Sequence, residues 1–140
     1  MKYIALDVGN KRVGVAFGDS DLRLATPVDV MTRVSLEQDA QTIAGLLREY
    51  DATQLLVGLP RNMDSSQGAQ AEAVIEYAQA ISERTLIPVI FWDERLTTVE
   101  ATKRTHETGA RGKKSRRGID ALAATVLLQD YLDSQTNELL

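Results

Sequence analysis

The stretch Met1–Gly18, MKYIALDVGNKRVGVAFG, constrains the fold more than any other part of the chain. Lys2 to Val8 is β-rich and mostly apolar on both faces, as expected of a strand covered on both sides. In Arg12 to Phe17, Val13, Val15 and Phe17 alternate with small residues, and Gly9-Asn10-Lys11 supplies turn chemistry between the two strands. One acid, Asp7, lies inside the first strand. A carboxylate near the end of an otherwise buried strand costs several kcal/mol unless it has a partner. Either a metal ion is that partner, or Asp7 hydrogen-bonds the turn backbone at Asn10 and Lys11.

The rest of the chain supplies the elements that must cover this hairpin. Leu24 to Met31 reads as a third strand, with Pro27 marking an edge or an irregular start. Ser35 to Tyr50 reads as a helix, opened by a Ser35–Gln38 capping box and striped by Leu36, Ala40, Ile43, Ala44 and Leu47. Thr53 to Gly58 is a short apolar run typical of a buried parallel strand. A loop with Pro60, Asn62 and Asp64 leads to a second amphipathic helix over 68–83, using Ala73, Val74, Tyr77, Ala78 and Ile81. Pro88 to Trp92 is the last strand and runs into Asp93-Glu94-Arg95. Thr97 and Glu100 form a second capping box, opening a short helix to about Glu107, on whose polar surface His106 is solvated. Gly109 to Arg117 reads as a loop, and Gly118 to Leu132 as the final helix, with Ala124, Leu127, Leu128 and Tyr131 on its buried face.

Three meander strands followed by βα units imply an α/β domain: a mixed five-stranded sheet, with a three-strand antiparallel meander plus two parallel strands, flanked by helices on both faces. The 140 residues make one domain, with an ordered core over about 2–133 and a polar tail over 134–140. Ligands of such sheets gather at the carboxyl ends of the parallel strands. The strands carrying Asp7 and Asp93-Glu94 both deliver acids there.

Composition excludes several classes. Without cysteine there is neither a disulfide framework nor a zinc–thiolate site, and a cytoplasmic setting is the default. Asp7 interrupts what would be the apolar segment of a signal peptide, and the longest near-continuous apolar run, Ala121 to Leu128, is far too short to span a membrane. Net charge is −4, yet residues 103–117 hold seven basic side chains against Glu107 alone. A basic cluster on an acidic body suits phosphate contact, or is simply a solvated surface loop. Lys113, Lys114, Arg116 and Arg117 are its phosphate-contact candidates.

Asp120 shares a helical stripe with Ala124, Leu127 and Tyr131, so it faces inward. Three inward acids, Asp7, Glu94 and Asp120, then come from three separate elements, and repulsion forbids packing them together unless a cation sits between them. Oxygen-only ligands suit Mg²⁺ or Mn²⁺. Two such ions about 4 Å apart activate a water and stabilise the leaving oxygen of a phosphodiester. Asp93 alternates to the face opposite Glu94 and reads as a supporting or structural acid behind the metal ligands. Arg12 and Arg95 either clamp phosphates near the metals or pair with a neighbouring acid such as Asp93. Trp92 reads as a buried aromatic at a strand end rather than a base-stacking platform.

The blocks Asp7 to Ala16, Gly58-Leu59-Pro60, Asp93 to Thr98, and Asp120 to Ala124 with Leu127 to Leu132 resemble the YqgF (RuvX) family over about residues 2–133. The resemblance implies an RNase H-like fold of the resolvase branch, with Asp7, Glu94 and Asp120 as metal-binding catalytic acids. It implies a nuclease processing the small-subunit ribosomal RNA precursor, with pre-30S particles as partners, and an older proposal of Holliday junction resolution. Two positions depart from the pattern. Ser65 stands where the family more often has Gly, and Gly58 stands where RuvC-type resolvases present an acid, which leaves that role to Glu94. On this reading the substrate is structured RNA or branched DNA, and the protein is a monomer or a homodimer with no membrane partner. The rivals are a non-catalytic nucleic-acid-binding module and an actin-like ATPase, the latter disfavoured because it needs two such domains.

Overall fold

The structure, a computed structural model, describes residues 1–60, 68–93 and, as helix, 116–139, with side chains over 121–135 of that helix. It consists of β1 (Lys2–Val8), β2 (Arg12–Asp19), β3 (Leu24–Thr32), α1 (Leu36–Glu49), β4 (Gln54–Leu59), α2 (Ala69–Thr85), β5 (Val89–Asp93) and α3 (Arg116–Leu139). The five strands form one sheet in the order β3-β2-β1-β4-β5. The pairs β1–β2 and β2–β3 are antiparallel, and β1–β4 and β4–β5 are parallel. This is the mixed sheet expected from the meander and the βα units.

Alternation along β1 divides the core in two. Ile4 and Leu6 join Val13, Val15, Leu55, Val57 and Leu59 against Ala40, Ile43 and Leu47 of α1 and Val74, Tyr77, Ala78 and Ile81 of α2. Tyr3 and Ala5 face the other way and join Ala16, Leu56 and the Ala124, Leu127, Leu128, Tyr131 and Leu132 stripe of α3. The β1–β2 register pairs Tyr3 with Gly18 and Asp7 with Gly14. Gly18 admits α3 closely, since a Cβ there would lie 2.7 Å from Leu128 Cδ2 and 3.2 Å from Leu132 Cδ1. Tyr131 stands edge-on to Tyr3 with centroids 5.5 Å apart, and burial beside that ring pushes the Tyr3 phenol up to about 12. Pro27 lies on the edge strand β3 where the ladder slips, the one kind of sheet position that spares its missing N–H.

Several boundaries and faces differ from the sequence reading. Arg116 and Arg117 belong to the first turn of α3, not to a loop, and helix continues past Asp133 to Leu139. The polar end is held by local bonds: Gln129 Nε2 donates to Asp133 Oδ1 at 3.1 Å and Ser134 Oγ to the Tyr131 carbonyl at 2.8 Å. Leu36 is exposed on the first turn of α1, and the buried polar residue is Asp39, only 3% exposed. In α2 Ala71 is buried beside Val74 and Ala78, while Ala73 faces solvent. Ser35 caps α1 as expected, its Oγ accepting from the Gln38 amide at 3.1 Å.

Candidate active site

Because β1, β4 and β5 run parallel, their last residues Val8, Leu59 and Asp93 share one rim of the sheet. Asp7 follows Tyr3 and Ala5 on the α3 face and is half-buried there. Its partner across β2 is Gly14, and the β1–β4 register, which pairs Leu6 with Val57, continues by one residue to set Gly58 on its other side. The carboxylate is therefore flanked on both neighbouring strands by residues without side chains. That leaves room above the sheet next to an acid, where a larger residue would fill it. A cleft of about 350 Å³ opens at this point, lined by Asp7, Gly9, Asn10, Lys11, Arg12 and Gly14.

The turn forming the cleft wall has little freedom. The Gly9 amide donates to the Arg12 carbonyl at 2.8 Å, and a Cβ on Gly9 would meet that same oxygen at 2.9 Å. Only glycine fits such an approach. Lys11 and Arg12 thus line the cleft with Asp7, two cationic residues beside one acid.

Of the residues singled out from the sequence, Asp7 and Arg12 are brought together in this cleft. Asp93 ends β5 with the parity of Val89 and Phe91, which pack in the α1/α2 core, so it lies on the face opposite Asp7. Asp120 lies in the first turns of α3, one turn before the buried Ala124; its side chain, with those of Arg116 and Arg117, lies outside the described residues. So do Glu94, Arg95, Lys113, Lys114, the helix expected over 97–107 with His106, and the loop expected to carry Asn62, Asp64 and Ser65. Among the described residues no three His, Cys, Asp or Glu side chains cluster as a metal site.

Trp92 packs against the α3 core as expected of a strand-end aromatic. Its ring stands edge-on to Tyr131 at 5.1 Å, and its Nε1 donates to Asp130 Oδ2 at 3.1 Å. Burial raises the Asp130 carboxyl, the Trp92 hydrogen bond opposes that, and neighbouring Asp133 adds to it.

The sequence reading missed a second group behind the turn. Arg33 donates from Nη1 to the Gly9 carbonyl at 2.8 Å, and its Cζ lies 4.2 Å from the centroid of the Tyr77 ring. The Tyr77 hydroxyl donates to Asp39 Oδ2 at 2.9 Å, and Asp39 Oδ1 accepts the Val34 amide at 3.0 Å. Burial, and then the bond to Asp39, hold the Tyr77 phenol well above its usual range. The available signal was a carboxylate at a stripe position of α1, four residues before Ile43.

Comparison with known proteins bears on the fold and the family. A structure of Thermus thermophilus RuvC in complex with a Holliday junction substrate superposes with a TM-score of 0.62 at 11% identity, covering 98% of this chain and 96% of that one. The fowlpox virus resolvase bound to Holliday junction DNA gives 0.56 at 14% identity, over 96% of this chain and 99% of that one. These likenesses identify the fold as the RNase H-like fold of RuvC-type resolvases. A protein of Caldanaerobacter subterraneus subsp. tengcongensis, "Putative pre-16S rRNA nuclease", is 42% identical over 98% of this chain and 99% of its own length. One of the same name from Lachnospira eligens is 43% identical over 96% and 99%. The family model described as "RuvX: Holliday junction resolvase" matches residues 1–134, and the chain belongs to the RuvX (YqgF) family.

Proposed function

We propose that the protein is a divalent-metal-dependent nuclease that hydrolyses phosphodiester bonds of structured RNA, acting on the end of pre-16S rRNA in cytoplasmic pre-30S particles. The observation that carries this reading is Asp7 in a cleft floored by Gly14 and walled by Lys11 and Arg12, at the rim where the parallel strands end. The name carried by relatives of about the same length supports the choice of RNA.

Asp7, Glu94 and Asp120 would hold Mg²⁺ or Mn²⁺, and an all-oxygen donor set beside an unfilled cleft suits those ions. When bound, a pair of such ions supplies an activated water and charge stabilisation at the leaving oxygen. Asp120 lies in the first turns of α3, the helix whose buried stripe packs on the face of the sheet that also carries Asp7, and this supports it as a ligand. Arg12 and Arg95 would orient the scissile phosphate, while Lys113, Lys114, Arg116 and Arg117 would hold flanking phosphates. Asp93, on the opposite face, would support the rim without touching metal.

The family model's description favours a second reading, resolution of branched DNA, in which a homodimer cuts two strands symmetrically. One assay separates the two. Purified protein with Mn²⁺ is offered end-labelled precursor rRNA and a synthetic four-way junction side by side, and product ends are mapped. Cleavage of the RNA at a defined end is expected, with Asp7→Asn abolishing it and leaving the melting temperature unchanged or higher, because a repelling charge is removed. Symmetric junction cleavage with intact RNA would replace the first reading by the second. Undiminished cutting by Asp7→Asn would overturn the site.

A further inference from the structure

We infer that Arg33 is a positioning residue for the candidate site: together with Tyr77 and Asp39 it braces the Gly9–Arg12 turn from behind the sheet. The inference deepens the nuclease reading and rests on it for its functional arm. Gly9 to Arg12 line the Asp7 cleft, and within the hairpin the Gly9 amide donates to the Arg12 carbonyl. Arg33 supplies further ties from outside the hairpin. Its backbone amide donates to the Lys11 carbonyl at 2.9 Å and its guanidinium to the Gly9 carbonyl at 2.8 Å, so one residue bonds both halves of the turn.

A guanidinium on a flexible stem holds a carbonyl only if its own position is fixed, and here a second contact fixes it. Its flat face rests on the Tyr77 ring at 4.2 Å. That ring is in turn fixed by its hydroxyl bond to the buried Asp39, whose other oxygen accepts the amide of Val34, next to Arg33 in the chain. The loop of contacts thus closes on itself through α1, α2 and the end of β3. It joins the α1/α2 layer to the cleft wall carrying Lys11 and Arg12, although no atom of α1 or α2 lines the cleft.

Such a brace acts on how substrate is held, because it fixes the wall bearing Lys11 and Arg12. The test uses Arg33→Met, which keeps an apolar stem and the backbone amide and removes every side-chain donor. Amide hydrogen exchange at Gly9 to Arg12 is expected to accelerate about tenfold, the effect of losing one hydrogen bond of ordinary strength, while the interior of β1 keeps its protection. Against fluorescein-labelled precursor rRNA with Mn²⁺, KM rises several-fold and kcat is unchanged; Arg33→Lys, still able to donate to Gly9 and to lie over the ring, recovers part of the loss. Tyr77→Phe keeps the ring under the guanidinium but unties it from Asp39, and turn exchange is expected to accelerate by less than in Arg33→Met. Unchanged exchange at Gly9 to Arg12 in Arg33→Met overturns the inference, as does acceleration spread evenly over the sheet. Because exchange needs no substrate, it decides the brace even if the parent protein cuts neither nucleic acid.

Discussion

Among the described residues, Asp7 and Asp39 occupy positions their sequence neighbours would give to apolar side chains, and they differ in how readily the sequence betrays them. Asp7 was legible because an acid in a short, otherwise apolar strand has few ways to be satisfied. Asp39 was not, because it sits beside Ala40 at the edge of the α1 stripe, and its partners Val34 N and Tyr77 Oη come from a strand exit and another helix. Such a pairing exists only once the chain has folded. A third carboxylate gives a prediction at this scale. The Asp130 carboxyl is raised above its ordinary value, so the folded chain binds this proton more readily than the unfolded chain. Stability therefore falls as pH rises through the window from the ordinary carboxylate value to the raised one. Asp130→Asn retains an oxygen to accept the Trp92 indole N–H and removes the charge. In thermal melts the variant is expected to be at least as stable as the parent at neutral pH, with the difference shrinking toward about pH 4. A variant that melts lower at neutral pH would mean that the ionised carboxylate strengthens the indole bond by more than its burial costs.

The same contrast between local and tertiary cause holds for the elements. Every strand and both crossover helices were readable, because alternation and the 3.6-residue period are local properties of a sequence that must present an apolar face. The ends were less so. β2 runs on to Asp19 because pairing with β1 and β3 continues there, and α3 starts two residues earlier and ends seven later than its apolar stripe suggests. A stripe reports only where a helix touches its neighbour, whereas helical hydrogen bonds carry on into solvent. The seat of α3 on the sheet depends on Gly18, whose missing side chain admits Leu128 and Leu132. Gly18→Ala is expected to lower stability by about 1–3 kcal/mol through overpacking of two fully buried leucines, measured by urea unfolding with an unchanged m-value. A neutral result would mean that α3 can ride up on the sheet without loss.

At the scale of the molecule the charges are segregated. The chain is acidic overall, yet basic residues gather over 103–117 and again at Lys11 and Arg12 on the cleft. Substituting Lys113, Lys114, Arg116 and Arg117 together by glutamine is expected to weaken RNA binding and flatten its salt dependence by up to about 3 log units per log unit of salt, read by anisotropy titrations across a salt series. An unchanged slope would make that segment a solvated surface and leave phosphate contact to Lys11 and Arg12. Asp7, Asp93 and the cleft occupy one rim of the sheet, while the last strand and last helix are joined across its face by the indole of Trp92. That indole is the sole tryptophan of the chain and lies two residues before Glu94. The molecule consequently carries its own optical gauge: any sliding of β5 against α3 alters the surroundings of one chromophore, and ultraviolet emission from unlabelled protein registers it without background from a second emitter of that kind.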